Sequence, residues 1–242
     1  MVSYYEPIDL VMPKKELVVG LDLGQSRDYS AWVVVERTKV DDQPARYHVR
    51  HIDRVRDQAY PQIVHHTATL VNALRGPKAT GYASRHSPDR RPTVSLIVDF
   101  SGVGRAVGDL ITELALDCQI CLVTITGGDQ MTRGEKGDFR VPKRLLASTI
   151  DAGLQTHRLT IEPSLSYAEI LTKELKDFRV KTTLTGHQRF EAGESWREGA
   201  HDDLVLSLSL AVWWGEHRPA NWDEVDTEGF LHFLELAGVE LV

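Results

Sequence analysis

Four acidic residues stand where a carboxylate is out of place. Asp22 lies inside the apolar run Leu17-Val-Val-Gly-Leu-Asp-Leu23. Asp99 ends the apolar run Thr93-Val-Ser-Leu-Ile-Val-Asp99. Asp202 and Asp203 open the run Leu204-Val-Leu-Ser-Leu-Ser-Leu-Ala-Val-Trp-Trp214. An unpaired buried charge is costly, so each of these acids needs a cation, a hydrogen-bond donor or a metal beside it. Brought together, they would repel one another, raise each other's pKa and destabilise the metal-free protein. Hard oxygen ligands suit Mg²⁺ or Mn²⁺. Two such ions about 3.5–4 Å apart would activate a water and stabilise the leaving oxygen of an in-line phosphodiester attack. Asp28, a little beyond Asp22, either returns toward it across a hairpin turn or caps that turn.

The surrounding pattern supplies elements that could bring the acids together. Leu17–Asp22 and Tyr29–Glu36 are rich in Val, Leu and Trp and read as two buried strands joined by a polar turn. Tyr47–Val55 alternates loosely and continues them as an antiparallel meander. Ile63, Val64, Ala68, Leu70, Val71 and Leu74 form one face of a helix that starts near Pro61. Thr93–Asp99, a helix opened by Ser101-Gly-Val-Gly-Arg105, and Cys118–Ile125 make a strand–helix–strand unit, hence a right-handed parallel crossover. If the first and fourth strands are neighbours, Asp22 and Asp99 converge, and the start of the last helix can present Asp202 or Asp203 to the same point.

Between these parts lie a basic loop over residues 75–92 and a Gly-rich charged loop over residues 127–140. A helix follows from Pro142 to Gln155, then a short extended piece at Leu159–Ile161. A further helix spans Tyr167–Phe178 with Ile170, Leu171, Leu175 and Phe178 on one face. A β-hairpin is expected over Arg179–Glu191 and a final helix over His201–Trp214. The expected fold class is α/β, a central mixed sheet flanked by helices with an added hairpin. The expected organisation is a lead-in at 1–15, one domain at 16–216, and a tail at 217–242 whose apolar patch Phe230–Leu236 could dock as a small helix.

With 242 residues the chain can bury one good core. Its hydrophobic content of 42% and charged content of 26% are those of an ordinary globular protein. No run approaches the ~20 apolar residues of a membrane span, and the N-terminus lacks a signal-peptide pattern. Two cysteines, Cys118 and Cys121, point to a reducing compartment, so the cytoplasm is expected. A net charge of −7 argues against coating nucleic acid over the whole surface. A local basic rim beside an acidic site remains compatible with nucleic-acid chemistry.

The ordered set Gly20-Leu-Asp-Leu-Gly24 with Asp28, then Leu96-Ile-Val-Asp-Phe-Ser-Gly-Val-Gly104, then His201-Asp-Asp-Leu-Val-Leu-Ser-Leu-Ser-Leu-Ala211, resembles the RNase H-like nuclease domain of tailed-phage large terminase subunits. Val141-Pro-Lys-Arg-Leu-Leu146, Glu174-Leu175 and the hairpin after them also resemble that family. The resemblance spans roughly residues 17–215. It implies an RNase H-like fold of the RuvC and terminase-nuclease type, and two-metal cleavage of concatemeric viral DNA during packaging. By motif, Asp22, Asp99 and the Asp202-Asp203 pair would hold Mg²⁺ or Mn²⁺, with Asp28 as a supplementary acid. Asp203 is slightly favoured as the direct ligand, because Asp202 is placed to cap the helix. The implied partners are double-stranded DNA and a packaging ATPase, a portal or a small terminase component, with no membrane. A complete large terminase also carries an ATPase motor; no GxxxxGK[ST] occurs here, so an isolated nuclease domain or a stand-alone relative is expected, without motor activity.

Plainer roles compete for each residue. Asp99 before Ser-Gly-Val-Gly could only cap a helix, and Asp202 or Asp203 could only complement a helix dipole. Glu174 could reach the metals, but a solvated helix Glu is the default. Cys118 and Cys121, with no second pair, read as small core residues. Trp213, Trp214 and Trp222 read as packing, and His201 as a surface residue. Of the basic residues, Arg133, Lys136, Arg140, Lys143 and Arg144 are better DNA candidates than Arg85, Arg90 and Arg91, because their loop leaves a strand end near the acids. Two other functions compete. One is a Holliday-junction-resolvase-like nuclease, set apart by a preference for four-way DNA. The other is a noncatalytic DNA-binding or assembly module, for which crowded buried carboxylates would serve no purpose. Phosphate loops of the sugar-kinase, actin and Hsp70 type resemble the Gly-Leu-Asp-Leu-Gly stretch but need two such domains.

Overall fold

A computed structural model describes residues 14–24, 28–77, 91–101, 107, 110, 111, 113, 116–134, 138–184 and 202–219. Residues 1–13 of the expected lead-in, most of the first basic loop, residues 185–191 of the expected hairpin and nearly all of the tail with its Phe230–Leu236 patch lie outside them, whereas Lys14 and Lys15 of the lead-in already belong to the first strand. Lys136, His201, Trp222 and Gly102–Arg105 also lie outside them.

The strands are β1 (Lys14–Asp22), β2 (Tyr29–Lys39), β3 (Arg46–Arg56), β4 (Thr93–Asp99), β5 (Gln119–Thr126), β6 (Thr132–Arg133), β7 (Phe139–Pro142) and β8 (Leu159–Ile161). They form one eight-stranded sheet in the order β6-β7-β5-β4-β1-β2-β3-β8. The meander is present: β1 pairs antiparallel with β2, and β2 with β3. β1 also pairs parallel with β4, and β4 with β5. The first and fourth strands are therefore neighbours, and their register matches Leu21 to Val98, one residue before each acid. The crossover between β4 and β5 is helical at Val107, Leu110, Ile111 and Glu113.

Strand parity decides which way the acids face. Side chains alternate across a sheet, so Asp22 shares a face with Val18 and Gly20, and Asp99 shares one with Ile97. Val18, Ala31, Val33, Val35 and Ile97 belong to a core on one face of the sheet. Val19, Leu21, Trp32, Val34, Leu96 and Val98 belong to the core on the other. Helix α1 (Tyr60–Arg75) covers that second face with Ile63, Val64 and Val71, and Trp32 Nε1 donates to Thr67 Oγ1 at 3.0 Å. The acids lie on the first face, under helices α2 (Lys143–Gln155), α3 (Ala168–Leu184) and α4 (Asp203–His217).

Helix α4 is buried from Asp203 through Gly215, as an all-apolar run requires. It lies close against β1. A Cβ at Gly20 would stand 1.8 Å from the carbonyl oxygen of Ser207, so only glycine admits the helix there. Three contacts fix it along its length. Ser207 Oγ donates to Ala31 O at 2.8 Å and accepts from Asp22 N at 3.2 Å. Arg37 Nε donates to Gly215 O at 2.9 Å while its Nη1 pairs with buried Glu16 at 2.9 Å. Glu174 Oε2 accepts from Leu204 N at 3.1 Å.

Three sequence expectations change. Residues Arg179–Leu184, in the span read as a hairpin, continue α3. The charged loop 127–140 is not wholly irregular: β6 lies in it and β7 begins in it, and the two pair as an antiparallel ribbon that the sequence reading did not anticipate. Ile170 is exposed, and the buried stripe of α3 is instead Ala168, Leu171, Glu174 and Phe178. Cys121 is a core residue and Cys118 packs on the edge of the α1-side core, as two isolated small residues would.

Candidate active site

At the ends of β1 and β4, sheet geometry delivers two carboxylates side by side on the α4 face. The first residue of α4 delivers a third. Asp22, Asp99 and Asp203 are each at most 9% exposed. Burial, then the charges of Asp99, Asp203 and Asp202, push the Asp22 carboxyl well above the usual carboxylate range. Burial also raises Asp99, offset by its hydrogen bonds with Ser101 and Asp22 and by the charge of Lys143. Ser101 N donates to Asp99 Oδ1 at 2.8 Å. Asp22 and Asp99, at the ends of adjacent strands, are thus both biased toward their protonated forms.

The cluster also has a resident cation. Lys143, the first residue of α2, places Nζ 2.7 Å from Asp202 Oδ2 and 5.3 Å from the centre of the Phe178 ring. That pairing explains why Asp202, at the N-cap position of α4, makes no side-chain cap. The expectation that Asp202 caps the helix is therefore corrected: its carboxylate is drawn toward Lys143. Leu206 N still donates to the Asp202 carbonyl, as the first bond of the helix.

Glu174 is the residue that sequence reasoning undervalued. It is 7% exposed rather than solvated. Burial and the charge of Asp203 raise its carboxyl to about 7, against the pull of Arg54 and the amides of Val205 and Leu204. Arg54 Nη1 lies 3.3 Å from Glu174 Oε1, and its guanidinium sits 4.2 Å from the centre of the Tyr29 ring. The signal was an acid at the spacing of the apolar stripe Leu171 to Phe178.

Asp28 stands apart from this group. It is exposed just before β2 and lines a cleft with Ser30, Asp57 and Tyr60. The basic residues divide in the same way. Arg140 is exposed on β7, and Arg133 is exposed on β6 with its guanidinium 5.7 Å from the centre of the Phe139 ring. Arg144 is engaged by Asp129, side chain at 2.8 Å and carbonyl at 2.6 Å. Lys143 belongs with the acids. Trp213 and Trp214 are buried, as expected.

No protein-family model matches the chain, and no curated protein is similar to it in sequence. Among solved structures, the large terminase nuclease of thermophilic phage G20c is similar over 84% of this chain and 83% of its own, at 16% identity and a TM-score of 0.44. The human cytomegalovirus terminase nuclease domain, soaked with Mn, is similar over 81% and 82%, at 10% identity and a TM-score of 0.45. RuvC of Thermus thermophilus, in complex with a Holliday junction substrate, is similar over 92% and 97%, at 11% identity and a TM-score of 0.34. The fold is α/β, one eight-stranded mixed sheet flanked by helices. Its β3-β2-β1 meander running into parallel β4 and β5 is the mixed sheet that the sequence resemblance implied.

Among the described residues, no three His, Cys, Asp or Glu side chains are already set around one point as a closed metal cage. The donor set still suits a hard divalent cation. It is made of carboxylate oxygens, it lies at the mouth of a sheet end, and the charges of Asp99, Asp203 and Asp202 raise the proton affinity of Asp22. Lys143 offsets part of the negative charge of the carboxylates in the metal-free protein. Among the described residues no helix is long and apolar enough to cross a membrane.

Proposed function

We propose that the protein is a divalent-metal-dependent endonuclease acting on double-stranded DNA. The observation that carries this reading is the convergence of Asp22, Asp99 and Asp203, with Asp202 beside them, at the ends of three different elements. Four carboxylates in one partly desolvated place are a structural liability, and a site that binds cations gives that liability a use. Asp22, Asp99 and Asp203 would hold Mg²⁺ or Mn²⁺, with Asp202 a further donor once Lys143 is displaced. Such ions, when bound, lower the pKa of water and stabilise the charge that develops on a phosphodiester.

The chain's own residues do the rest. Ser101 N and Ser207 Oγ fix the strand ends that carry Asp99 and Asp22. A bound cation would favour the ionised forms of Asp22 and Asp99, against the burial that raises both. Arg140 and Arg133, exposed on the β6–β7 ribbon, would hold backbone phosphates without reading sequence. Asp28, away from the acids, would act on the approaching strand rather than on the first ion. A role in viral genome cleavage during packaging follows from the terminase resemblance, with a packaging ATPase, a portal or a small terminase component as partner.

The test is nicking and linearisation of supercoiled plasmid with Mg²⁺, Mn²⁺ or EDTA, comparing wild type with Asp99→Ala. Ion-dependent cutting that the substitution reduces by on the order of a thousandfold is expected, since metal charge stabilisation is worth several kcal/mol. DNA binding without cutting would favour the noncatalytic module, and preferential cutting of four-way DNA the resolvase-like enzyme.

A further inference from the structure

Helix α4 carries half of the acid cluster on its first turn, yet its own N-cap residue does not cap it. The first amides of any helix lack partners within the helix, and an N-cap side chain ordinarily supplies an acceptor. Asp202 would be a strong cap, but its carboxylate lies 2.7 Å from Lys143 Nζ and makes no cap bond. Leu204 and Val205 are fully buried, so water cannot replace the missing acceptor. The acceptor comes from another helix: Glu174 Oε2 of α3 accepts from Leu204 N at 3.1 Å, and the neighbouring Val205 amide also favours its charged form.

We propose that Glu174 is a positioning residue of the acid site, capping α4 from α3 and so fixing Asp203 while Asp202 is left to face Lys143. Glu174 is well suited to this task. A negative charge is favourable at a helix N-terminus. Its other oxygen is held by Arg54 at 3.3 Å, whose side chain is only 13% exposed. Arg54 in turn is held by the Tyr29 ring at 4.2 Å and the Tyr167 ring at 5.6 Å. Strand β3, helix α3 and helix α4 are thereby joined through one carboxylate. The cap frees Asp202 for the site, and Arg54 offsets the repulsion between Glu174 and Asp203.

The inference rests on the metal reading for its consequence, but not for its geometry. The experiment therefore measures two things in the full-length protein. One is hydrogen exchange at the Leu204 and Val205 amides without metal; the other is Mn²⁺ affinity by titration calorimetry. Glu174→Ala is expected to speed exchange at those two amides at least about tenfold relative to the rest of α4, and to weaken Mn²⁺ binding by about 10–100-fold. Glu174→Gln keeps an oxygen that can accept from Leu204, and should restore both to within about threefold. Glu174→Asp, one methylene short, should behave like Ala, and serves if Glu174→Ala does not fold. If Gln keeps the amides protected but loses Mn²⁺ as fully as Ala, Glu174 is itself a ligand and the proposal is wrong. If Ala lowers Tm but leaves exchange and affinity unchanged, the role is only structural and the proposal is again wrong. Should wild type bind no Mn²⁺, the nuclease reading fails, while the exchange data still decide whether Glu174 caps α4.

Discussion

The backbone amide of Asp22 donates to Ser207 Oγ at 3.2 Å, so the strand that carries one acid is bonded directly to the helix that carries another. Asp203 and Ser207 are one turn apart and lie on the same side of α4. The distance between the acids of the sheet and the acid of the helix is therefore set by this buried bond and by the close approach of Gly20 to the Ser207 carbonyl.

Gly20 makes that contact possible, which yields a first prediction. A Cβ at this position would stand 1.8 Å from Ser207 O, and α4 would have to lift to admit it. Gly20→Ala should cost about 1–3 kcal/mol or more in denaturant melts, as overpacking does. It should also diminish stabilisation by Mn²⁺, because the lifted helix carries Asp203. Gly127, with open space where its Cβ would be, is the control and should stay within about 0.5 kcal/mol of wild type.

A second prediction concerns pH. Asp22 and Asp99 are raised above an ordinary value of 3.8, and Glu174 from 4.5 to about 7. Over this interval the folded, metal-free protein keeps protons that the unfolded chain has released. The contribution of these three groups to stability is then greatest at low pH and is lost as pH rises through their folded pKa values, with a slope of up to about 1.4 kcal/mol per pH unit for each proton retained. Thermal melts in EDTA should show Tm falling from about pH 5 to pH 7. Added Mg²⁺ should reduce or invert the trend, because a bound cation favours the ionised carboxylates. A Tm that rises across this window in EDTA would contradict the proposed crowding.

The third prediction separates two residues that the sequence grouped together. Arg140 is exposed on the β6–β7 ribbon, whereas Lys143 is engaged by Asp202. Arg140→Ala should weaken DNA binding and lower the slope of log affinity against log salt by about 0.9, the loss of one phosphate contact. Lys143→Ala should leave that slope nearly unchanged and tighten Mn²⁺ binding severalfold, since it removes a cation from beside the acids. Filter binding across a salt series and titration calorimetry would distinguish them.

Much of this architecture was legible because it follows from periodicity. The Val-rich run of β2 could only be a central strand, and the uninterrupted apolar face of α4 could only be a buried helix. Parity along Val18, Gly20 and Asp22 then puts the acid on the helix side. What the sequence did not disclose was pairing at long range. Asp202 looked like a cap because capping is a local property, while the pull of Lys143 comes from a helix 59 positions away. Glu174 looked solvated because a lone Glu on a helix ordinarily is, and Arg54, its partner, is 120 positions distant. Residues 179–184 misled for a different reason: Thr and Val favour strands, but Arg179–Leu184 simply extend a helix already nucleated and packed.

Helix α4 is immersed along nearly its whole length, and that restricts how the chain can vary. A surface helix tolerates a one-residue insertion by rotating a different face toward water. Here an insertion between Asp203 and Ser207 would turn the acid by about 100° relative to the anchored part of the helix and lift it by about 1.5 Å. It would leave the carboxylate among Leu and Val, where no rotation is harmless. Length changes are thus confined to the connections, and the helical phase of the segment from Asp203 to Ser207 becomes a quantity that a functional chain must keep even as its side chains change.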